Sequence, residues 1–397
     1  CKFKVYYLSL GKIRLLKLPM RLAFLLLLCI FYLQPTHGEA DSELLRKKEA
    51  LDRAFFELKV NPLPERILPL SDSIIREAKK IGYADRVVNA YQVRCQYICE
   101  NSKLADEQKV LEEIDAYMDY AQKNNIIDHC FIGWDALIYY YINNESFKAI
   151  SEIEDYRSEA VKRELPKYIA RSYRFLGDLN LKQNEVYNAI DNFRKGTESS
   201  DSINEWRNAS YCYSQIGRCM MTLHDYKGAI KAWDESIKRY KGIASKINIP
   251  SDRICQAVAY YYLKNYDKMR AIYKSVEKIE FTSSFTQTRK MMLRSYIALV
   301  DKEYSKSLAI ADSIKDNQMR FIVKDHIYLE THNYKDGVEN LTNILDLDVE
   351  RYKKMKKDDN EALKAQSTII NLQNHMKQMD FKSSQVKMEK ELPYYSI

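Results

Sequence analysis

The residues that decide the fold are 173–193, YRFLGDLNLKQNEVYNAIDNF, and 213–233, YSQIGRCMMTLHDYKGAIKAW. Both stretches open with Tyr, continue with Leu or Ile followed by Gly, and reach Ala and a closing aromatic residue at equal distances from that Gly. The two glycines, the two alanines and the two closing aromatics are each 40 residues apart. A period of this length is typical of a repeat in which every unit is one supersecondary structure.

The second stretch has the pattern of two amphipathic helices joined by a short turn. Two apolar stripes flank a loop at His224 and Asp225; they consist of Ile216, Met220 and Leu223, and then of Tyr226, Ala229, Ile230, Trp233 and Ile237. Gly217 and Ala229 would allow the two helices to approach closely, and Trp233 would fill the space toward the next pair. Because one such hairpin cannot bury both of its faces, it must stack on a neighbour.

This pattern resembles the tetratricopeptide repeat (TPR). Measured from Gly177 and Gly217, the Leu or Ile, the Ala and the Phe or Trp fall at that family's offsets, and Gly196 and Ser236 supply its small residue. The family repeat is about 34 residues long, so these helices are longer, and the family's terminal proline is absent from both copies. The resemblance implies an all-α fold, an α-solenoid of antiparallel helix hairpins.

An aromatic residue at the expected turns extends the array in both directions. The series is Phe147, Tyr187, Tyr226, Tyr266, Tyr304 and Tyr334, at intervals of 40, 39, 40, 38 and 30 residues. In the third copy Ala257 replaces the glycine and Met269 replaces the alanine. The outer copies are weaker still, as expected of terminal repeats that face solvent on one side.

The composition also predicts an all-α chain, since Gly and Pro number only 10 and 8 and no strand-like alternation persists. Helices near 44–60, 66–80, 83–100 and 105–123 are expected to form earlier, degenerate pairs. The predicted organisation is a TPR-like helical repeat array over 41–346, a long heptad-patterned helix over 347–392 and a short tail over 393–397.

The N-terminal residues 1–38 have the composition of a targeting segment. They contain six basic residues and no acid, and an apolar run of 12 residues over 22–33 follows Met20. Small residues then offer cleavage after Gly38 or Ala40. We predict an N-terminal extension and a secretory signal peptide, because 12 residues fall short of the roughly 20 that span a bilayer. An uncleaved anchor helix is the alternative.

Removal of that segment changes the electrostatic argument. The whole chain carries a net charge of +8, and subtracting the six basic residues leaves about +2. A nucleic-acid surface would require a basic patch that survives this subtraction. Only residues 351–357 are locally basic, and Asp358, Asp359 and Glu361 follow at once. The sequence therefore predicts no nucleic-acid partner.

Residues 350–391 contain no Gly and no Pro, which favours a long helix. From Met355 to Val386 the residues follow a three-four rhythm typical of a heptad seam, imperfect at Asp358 and Ser383. Two interpretations stay open. One is a parallel coiled coil, which would make a homodimer through the C-terminal helix possible. The other is a solvated tail helix that folds back on the array.

Residues suited to catalysis or metal binding are sparse. The chain has no His-Glu-x-x-His, no Gly-rich phosphate loop and no Gly-x-Ser-x-Gly, which are the patterns that would indicate such chemistry. We therefore predict no enzyme activity, no cofactor and no metal site. Six cysteines follow the signal segment: Cys95, Cys99, Cys130, Cys212, Cys219 and Cys255. They could form one or two disulfides in an exported protein or serve as small buried apolar residues.

The 31 tyrosines are more suggestive, since they cluster at 139–141, 211–213 and 260–262. Tyrosine combines a large apolar ring with a hydroxyl and suits recognition surfaces. Tyr211, Tyr261 and Tyr296 occupy positions for which a surface role and a core role are both open. In the TPR family, ligands bind along the concave face formed by the first helix of each pair. The resemblance implies a protein or peptide ligand at Arg171, Arg174, Asp178, Tyr211, Ser214, Arg218 and Met221, with Ser251, Ile254, Val258 and Tyr261 less securely placed.

The three arginines of that set, Arg171, Arg174 and Arg218, could hold a carboxylate or phosphate by forked hydrogen bonds. The layout as a whole resembles the extracytoplasmic sensor region of Bacteroidetes TPR-containing signalling proteins, of the histidine kinase or helix-turn-helix regulator type. It implies an exported, periplasmic scaffold that serves as a sensory input region. Any membrane contact would come from the signal peptide or from a missing C-terminal span. The alternatives are a free-standing periplasmic adaptor without signalling output and a cytoplasmic TPR regulator.

Overall fold

The helices are assigned from a computed structural model. It describes residues 37–353 except 61–62, 103–105, 145 and 282, and beyond them residues 369–370, 373–374, 376–379 and 382. Over these residues the chain is all-α and contains no strand. The early helices are α1 (His37–Val60), α2 (Pro64–Lys80), α3 (Ala84–Asn101), α4 (Glu107–Lys123), α5 (Ile127–Asn144) and α6 (Ser146–Lys162).

The later helices contain both copies of the sequence repeat. They are α7 (Pro166–Lys182), α8 (Val186–Ser202), α9 (Trp206–Thr222), α10 (Tyr226–Arg239), α11 (Gly242–Tyr262), α12 (Tyr266–Val276), α13 (Ser284–Val300), α14 (Tyr304–Asp312), α15 (Asn317–Glu330) and α16 (Tyr334–Lys353). Consecutive helices pack against one another in pairs. This is the predicted all-α arrangement of helical hairpins, and the fold class is confirmed.

The described residues divide into two compact units at Ala136, within α5. In the first unit, Arg94 on α3 connects three helices. Its Nε and Nη2 donate to the carboxylate of Glu113 on α4, at 2.8 and 2.5 Å, and its Nη1 donates to the Leu68 carbonyl of α2 at 3.2 Å. Below this ion pair, the Tyr91 and Tyr117 rings stack with centroids 5.7 Å apart. A charge-assisted fork of this kind stabilises the relative register of the helices it joins.

In the second unit, the turns of the hairpins share one backbone geometry. A residue in the left-handed region, with φ between 55° and 64°, lies two positions before the second helix of each pair. These residues are Asn184, His224, Lys264, Lys302 and His332. The turn is therefore set by backbone conformation and tolerates several residue types, although an L side chain is strained there.

This geometry corrects Tyr187 as a member of the turn-aromatic series. Helix α8 begins at Val186, which is thus the equivalent of Tyr226, and Tyr187 is 75% exposed. Counted from helix starts, the period from α8 through α10 to α12 is 40 residues at each step. An exposed aromatic next to the true position disguised the regular spacing. Phe147 is 86% exposed, and residue 145, which precedes the first residue given for α6, lies outside the described residues.

The glycines of the two repeats lie where an aromatic ring covers the helix. A Cβ added at Gly177 would lie 2.5 Å from the Phe193 ring, and one added at Gly217 would lie 2.6 Å from the Trp233 ring. Both contacts join the two helices of one hairpin. Trp233 also belongs to a core cluster with Cys255 on α11, so it reaches the next pair as the sequence predicted.

Near the C-terminus, α16 continues through the predicted boundary at residue 347. Most of the predicted heptad helix and the tail lie outside the described residues, as do residues 1–36. The described part contains a contact within the chain: Met379 is 1% exposed and packs with Leu341 of α16. The Met376 sulfur lies 3.5 Å from the Thr342 hydroxyl. These contacts have the geometry of a tail that folds back.

Cys95, Cys99, Cys212, Cys219 and Cys255 are buried free thiols, and Cys130 is partly buried. Burial raises the pKa of the Cys212 thiol to about 12 and that of Cys219 to about 11, so both thiols are neutral near pH 7.

Among the helices described here, none is both long enough and apolar enough to cross a bilayer.

Candidate functional site

One cleft of about 340 Å³ opens on the face formed by α7, α9 and α11, the first helices of three successive hairpins. We refer to it as the α7–α9–α11 cleft. Its lining is rich in arginines, hydroxyls and amides and contains three aromatic rings. The residues are Arg174, Trp206, Arg207, Ser210, Tyr211, Ser214, Gln215, Arg218, Tyr240, Asn248, Ser251 and Asp252. A pocket of this volume is within the range for small ligands or for a few side chains of a peptide.

Arg174 of α7 is held between aromatic rings. Its guanidinium carbon lies 3.7 Å from the centroid of Tyr211 and 5.6 Å from that of Tyr139. Its Nε is 3.8 Å from Asp178 Oδ2, one helical turn further along α7, and finds no hydrogen-bond partner. Stacking on a ring stabilises a cation but satisfies none of its N–H donors. Arg174 therefore keeps donor capacity within the cleft.

Asp178 lies beside the cleft and orients Tyr139 and the cleft residue Tyr211. The Tyr139 hydroxyl donates to Oδ2 and the Tyr211 hydroxyl donates to Oδ1, both at 2.9 Å. Burial raises the pKa of the Asp178 carboxyl, while Arg174 and the two hydroxyls act in the opposite direction. Because Tyr139, Asp178 and Tyr211 lie on α5, α7 and α9, this carboxyl joins three first helices.

A second buried carboxyl, Asp252 of α11, closes the other side of the cleft. It is 4% exposed and accepts hydrogen bonds of 2.7 Å from Ser214 on α9 and Ser236 on α10. Burial raises its pKa above the ordinary value of 3.8, and the serines, Arg218 and Tyr240 partly offset that effect. Both carboxyl oxygens are thus used for internal hydrogen bonds.

Arg218 of α9 is the least satisfied cation of the cleft. Within the described part of the chain it forms no ion pair, and its Nε is buried without a hydrogen-bond partner. The nearby acids that act on it electrostatically, Asp178 and Asp252, are already occupied by hydroxyl donors. Its guanidinium carbon lies 4.5 Å from the ring centroid of Phe285 on α13.

The structure brings together most of the sequence-predicted site. Arg174, Tyr211, Ser214 and Arg218 line the α7–α9–α11 cleft, as does the less secure Ser251, and Asp178 supports it from behind. Arg171 does not line it; its guanidinium lies 5.3 Å from the Tyr168 ring.

Tyr261 is also absent from the cleft, because it is 6% exposed and lies in a core cluster. Its ring stacks on Tyr296 at 4.4 Å, and its hydroxyl is 2.6 Å from His326 Nε2. Tyr296 is fully buried as well, so of the three tyrosines left open by the sequence only Tyr211 faces the cleft. The predicted companions Ile254 and Val258 are core residues.

Sequence reasoning missed several lining residues, above all Trp206, Arg207, Tyr240 and Asn248. One signal for Arg207 existed, since positions 207, 211, 214 and 218 have the three-four spacing of a single helix face. Tyr240 lies between α10 and α11, and Asn248 lies in the first half of α11, whose length of 21 residues exceeds that of its counterparts. Neither position follows from the repeat.

The arrangement suits the binding of an anionic group. Arginine forks match carboxylate and phosphate geometry, and the serine and tyrosine hydroxyls add neutral donors. No group of three or more His, Cys, Asp or Glu that could hold a metal ion occurs among the residues described.

The fold and the cleft define the chain as an all-α protein of stacked helical hairpins with a polar, arginine-lined face. No protein-family model matches the sequence, and no curated protein is significantly similar to it.

Proposed function

We propose that this protein is an exported TPR-like protein-binding scaffold that serves as the periplasmic sensory input region of a signal-transduction protein. The observation that carries the proposal is the α7–α9–α11 cleft. It lies on the first helices of successive hairpins, which is the ligand face implied by the TPR resemblance, and it contains two arginines, Arg174 and Arg218, whose buried Nε atoms have no hydrogen-bond partner. Unsatisfied donors at a cleft are more readily explained by a ligand than by folding, because each costs stability when left unpaired.

The binding part of the proposal is tested by selecting peptides from a random display library on the purified chain. We expect enriched sequences whose binding is lost in Arg174→Glu and Arg218→Glu. The matched control is Arg194→Glu, which reverses an exposed arginine on the second helix α8 and should leave binding unchanged. Selected peptides that bind all three variants equally would remove the cleft as the ligand site.

The export part is tested separately by fusing residues 20–40 to a phosphatase that is active only outside the cytoplasm. We expect activity in the periplasmic fraction and loss of activity when the apolar run 22–33 carries two added charges, since translocation requires an uninterrupted apolar core. Equal activity in both fusions would argue for the cytoplasmic alternative.

A further inference from the structure

A pair of arginines at the edge of the α7–α9–α11 cleft contacts the same aromatic ring. The guanidinium carbon of Arg218 on α9 is 4.5 Å from the Phe285 centroid, and that of Arg289 on α13 is 4.4 Å from the same centroid. We call this arrangement the Arg218–Phe285–Arg289 stack. The stack joins α9 and α13, whose hairpins are separated in the chain by the α11–α12 hairpin. The Ser251 hydroxyl, 3.2 Å from Thr286 Oγ1, makes the intervening link from the cleft to α13.

Both arginines of the stack lack polar partners within the described residues. The Nε of each is buried and has no hydrogen-bond partner, and neither arginine forms an ion pair with any residue in the described ranges. A guanidinium has five N–H donors and no acceptor, so contact with the ring compensates the charge of each arginine only in part. Two like charges held close to the same ring repel each other unless an anion lies nearby.

The exposure of the stack allows such an anion to enter. Phe285 is 39% exposed, and Arg218 itself lines the cleft. Together with Arg174 and Arg207, the stack extends a row of four arginines over α7, α9 and α13. The two acids that act on Arg218, Asp178 and Asp252, each accept hydrogen bonds from two hydroxyl groups. Asp178 lies 3.8 Å from Arg174 Nε, but neither acid forms an ion pair with Arg218 or Arg289 within the described ranges.

We propose that the Arg218–Phe285–Arg289 stack is an anion-binding subsite that extends the cleft, and that its ligand is an acidic peptide segment with at least two carboxylates. One carboxylate bridges Arg218 and Arg289, and a second reaches Arg174 or Arg207 in the cleft. This inference rests on the proposed function, because it specifies the chemistry of the peptide ligand. It assigns Phe285 and Arg289 to the binding surface, which the repeat pattern did not do.

The test is a fluorescence-anisotropy titration of the full chain with a labelled octaglutamate peptide and, as control, octaglutamine. We expect octaglutamate to bind, octaglutamine not to bind, and the affinity to fall as KCl is raised, since ion pairs at a partly exposed site are screened. Arg289→Gln should weaken binding about tenfold. Arg289→Lys should recover part of the loss, because it keeps the charge without the fork.

The matched control is Arg294→Gln, which removes an exposed arginine from the same helix and should bind like the wild type. Far-ultraviolet circular dichroism checks that each variant is folded, and the comparison of octaglutamate with octaglutamine on the wild-type chain needs no variant. Equal binding of octaglutamate to the wild type and Arg289→Gln would overturn the subsite.

Competition separates the remaining outcomes. Displacement of octaglutamate by inorganic phosphate or a sugar phosphate at lower concentration than by free glutamate would replace the acidic peptide with a phosphate ester as ligand. If octaglutamate fails to bind while library-selected peptides of other composition do bind, the acidic chemistry is wrong and the scaffold function stands. If library selection also yields no binding peptide, both the acidic-peptide subsite and the proposed peptide-binding function fail.

Discussion

Gly217 shows how a single missing side chain determines the packing of a hairpin. The Trp233 ring occupies the place of its Cβ, at 2.6 Å, and Trp233 is 1% exposed. We expect Gly217→Ala to lower the free energy of unfolding by about 1–3 kcal/mol, because overpacking outweighs the gain in helix propensity. Urea denaturation measures the change.

The matched control for that prediction is the same substitution beside a smaller partner. In a Trp233→Leu background, which itself loses stability, Gly217→Ala should cost much less, and a double-mutant cycle isolates the coupling. Additive effects of the two substitutions would contradict the direct contact.

The turn residue Lys302 carries strain that a glycine would remove. Its φ is 62°, and its side chain is exposed. The left-handed conformation costs an L residue about 1–2 kcal/mol, a strain that glycine avoids. About 0.5–1 kcal/mol of this advantage is offset, because glycine loses more conformational entropy when the chain folds. Lys302→Gly should therefore raise stability by about 0.5–1 kcal/mol, seen as a higher thermal midpoint. Lys302→Ala keeps the strain, so an equal rise in that variant would disprove the explanation.

The buried carboxyl of Asp252 gives a pH dependence of known sign. Burial raises its folded-state pKa above the ordinary value of 3.8, so the folded chain holds this proton more tightly than the unfolded chain. Its contribution to stability is fully present below pH 3.8 and is lost as the pH rises through the folded pKa. We expect the stability advantage of the wild type over Asp252→Asn to be larger at pH 4 than at pH 7.

The control for this pH effect is the same substitution at an exposed carboxyl, Asp267→Asn at the first turn of α12, measured at the same two pH values. A wild-type advantage over Asp252→Asn that grows with pH would mean that hydrogen bonding, not burial, dominates at Asp252.

At the scale of elements, the sequence pattern predicted the hairpins because their packing is local. Leu176 and Gly177 precede Ala189 and Phe193 by fewer than 20 residues, so one amphipathic period specifies each contact. Helix starts were less accessible. Tyr187 lies one position after the true start of α8, because the positive φ of the turn residue Asn184 was not visible in the pattern and several residue types adopt that conformation.

The C-terminal element offers a prediction of its own, because Met379 is buried against α16. Met379→Asp should detach this contact, since a charge replaces a buried apolar side chain at a cost of about 2 kcal/mol or more. Hydrogen exchange of residues 376–379 should become at least tenfold faster. Gln378→Asp, at an exposed neighbour, should leave the exchange rates unchanged. Faster exchange in both variants would show that the Met379 side chain is not what holds residues 376–379 against α16.

At the scale of the molecule, stability is expected to be distributed unevenly along the array. Helices α7 to α10 contribute four large, almost fully buried side chains, Tyr168, Phe175, Phe193 and Trp233, and the rings of the last two pack directly on Gly177 and Gly217. Repeat proteins open locally according to the stability of neighbouring units. We expect the slowest amide exchange in residues 166–239, and slowest exchange in α13 to α16 would contradict this distribution.

The sequence by itself determined the all-α class and the 40-residue period of the hairpins, because helical periodicity encodes neighbours within one hairpin. The contact between Gly217 and the Trp233 ring came from the structure. The sequence also located the face that carries Arg174, Tyr211 and Arg218. Only the tertiary structure decided that Tyr261 is core and that Phe285 and Arg289 meet Arg218. Those residues lie on different hairpins, and their contacts depend on how successive pairs interlock, which no local pattern specifies.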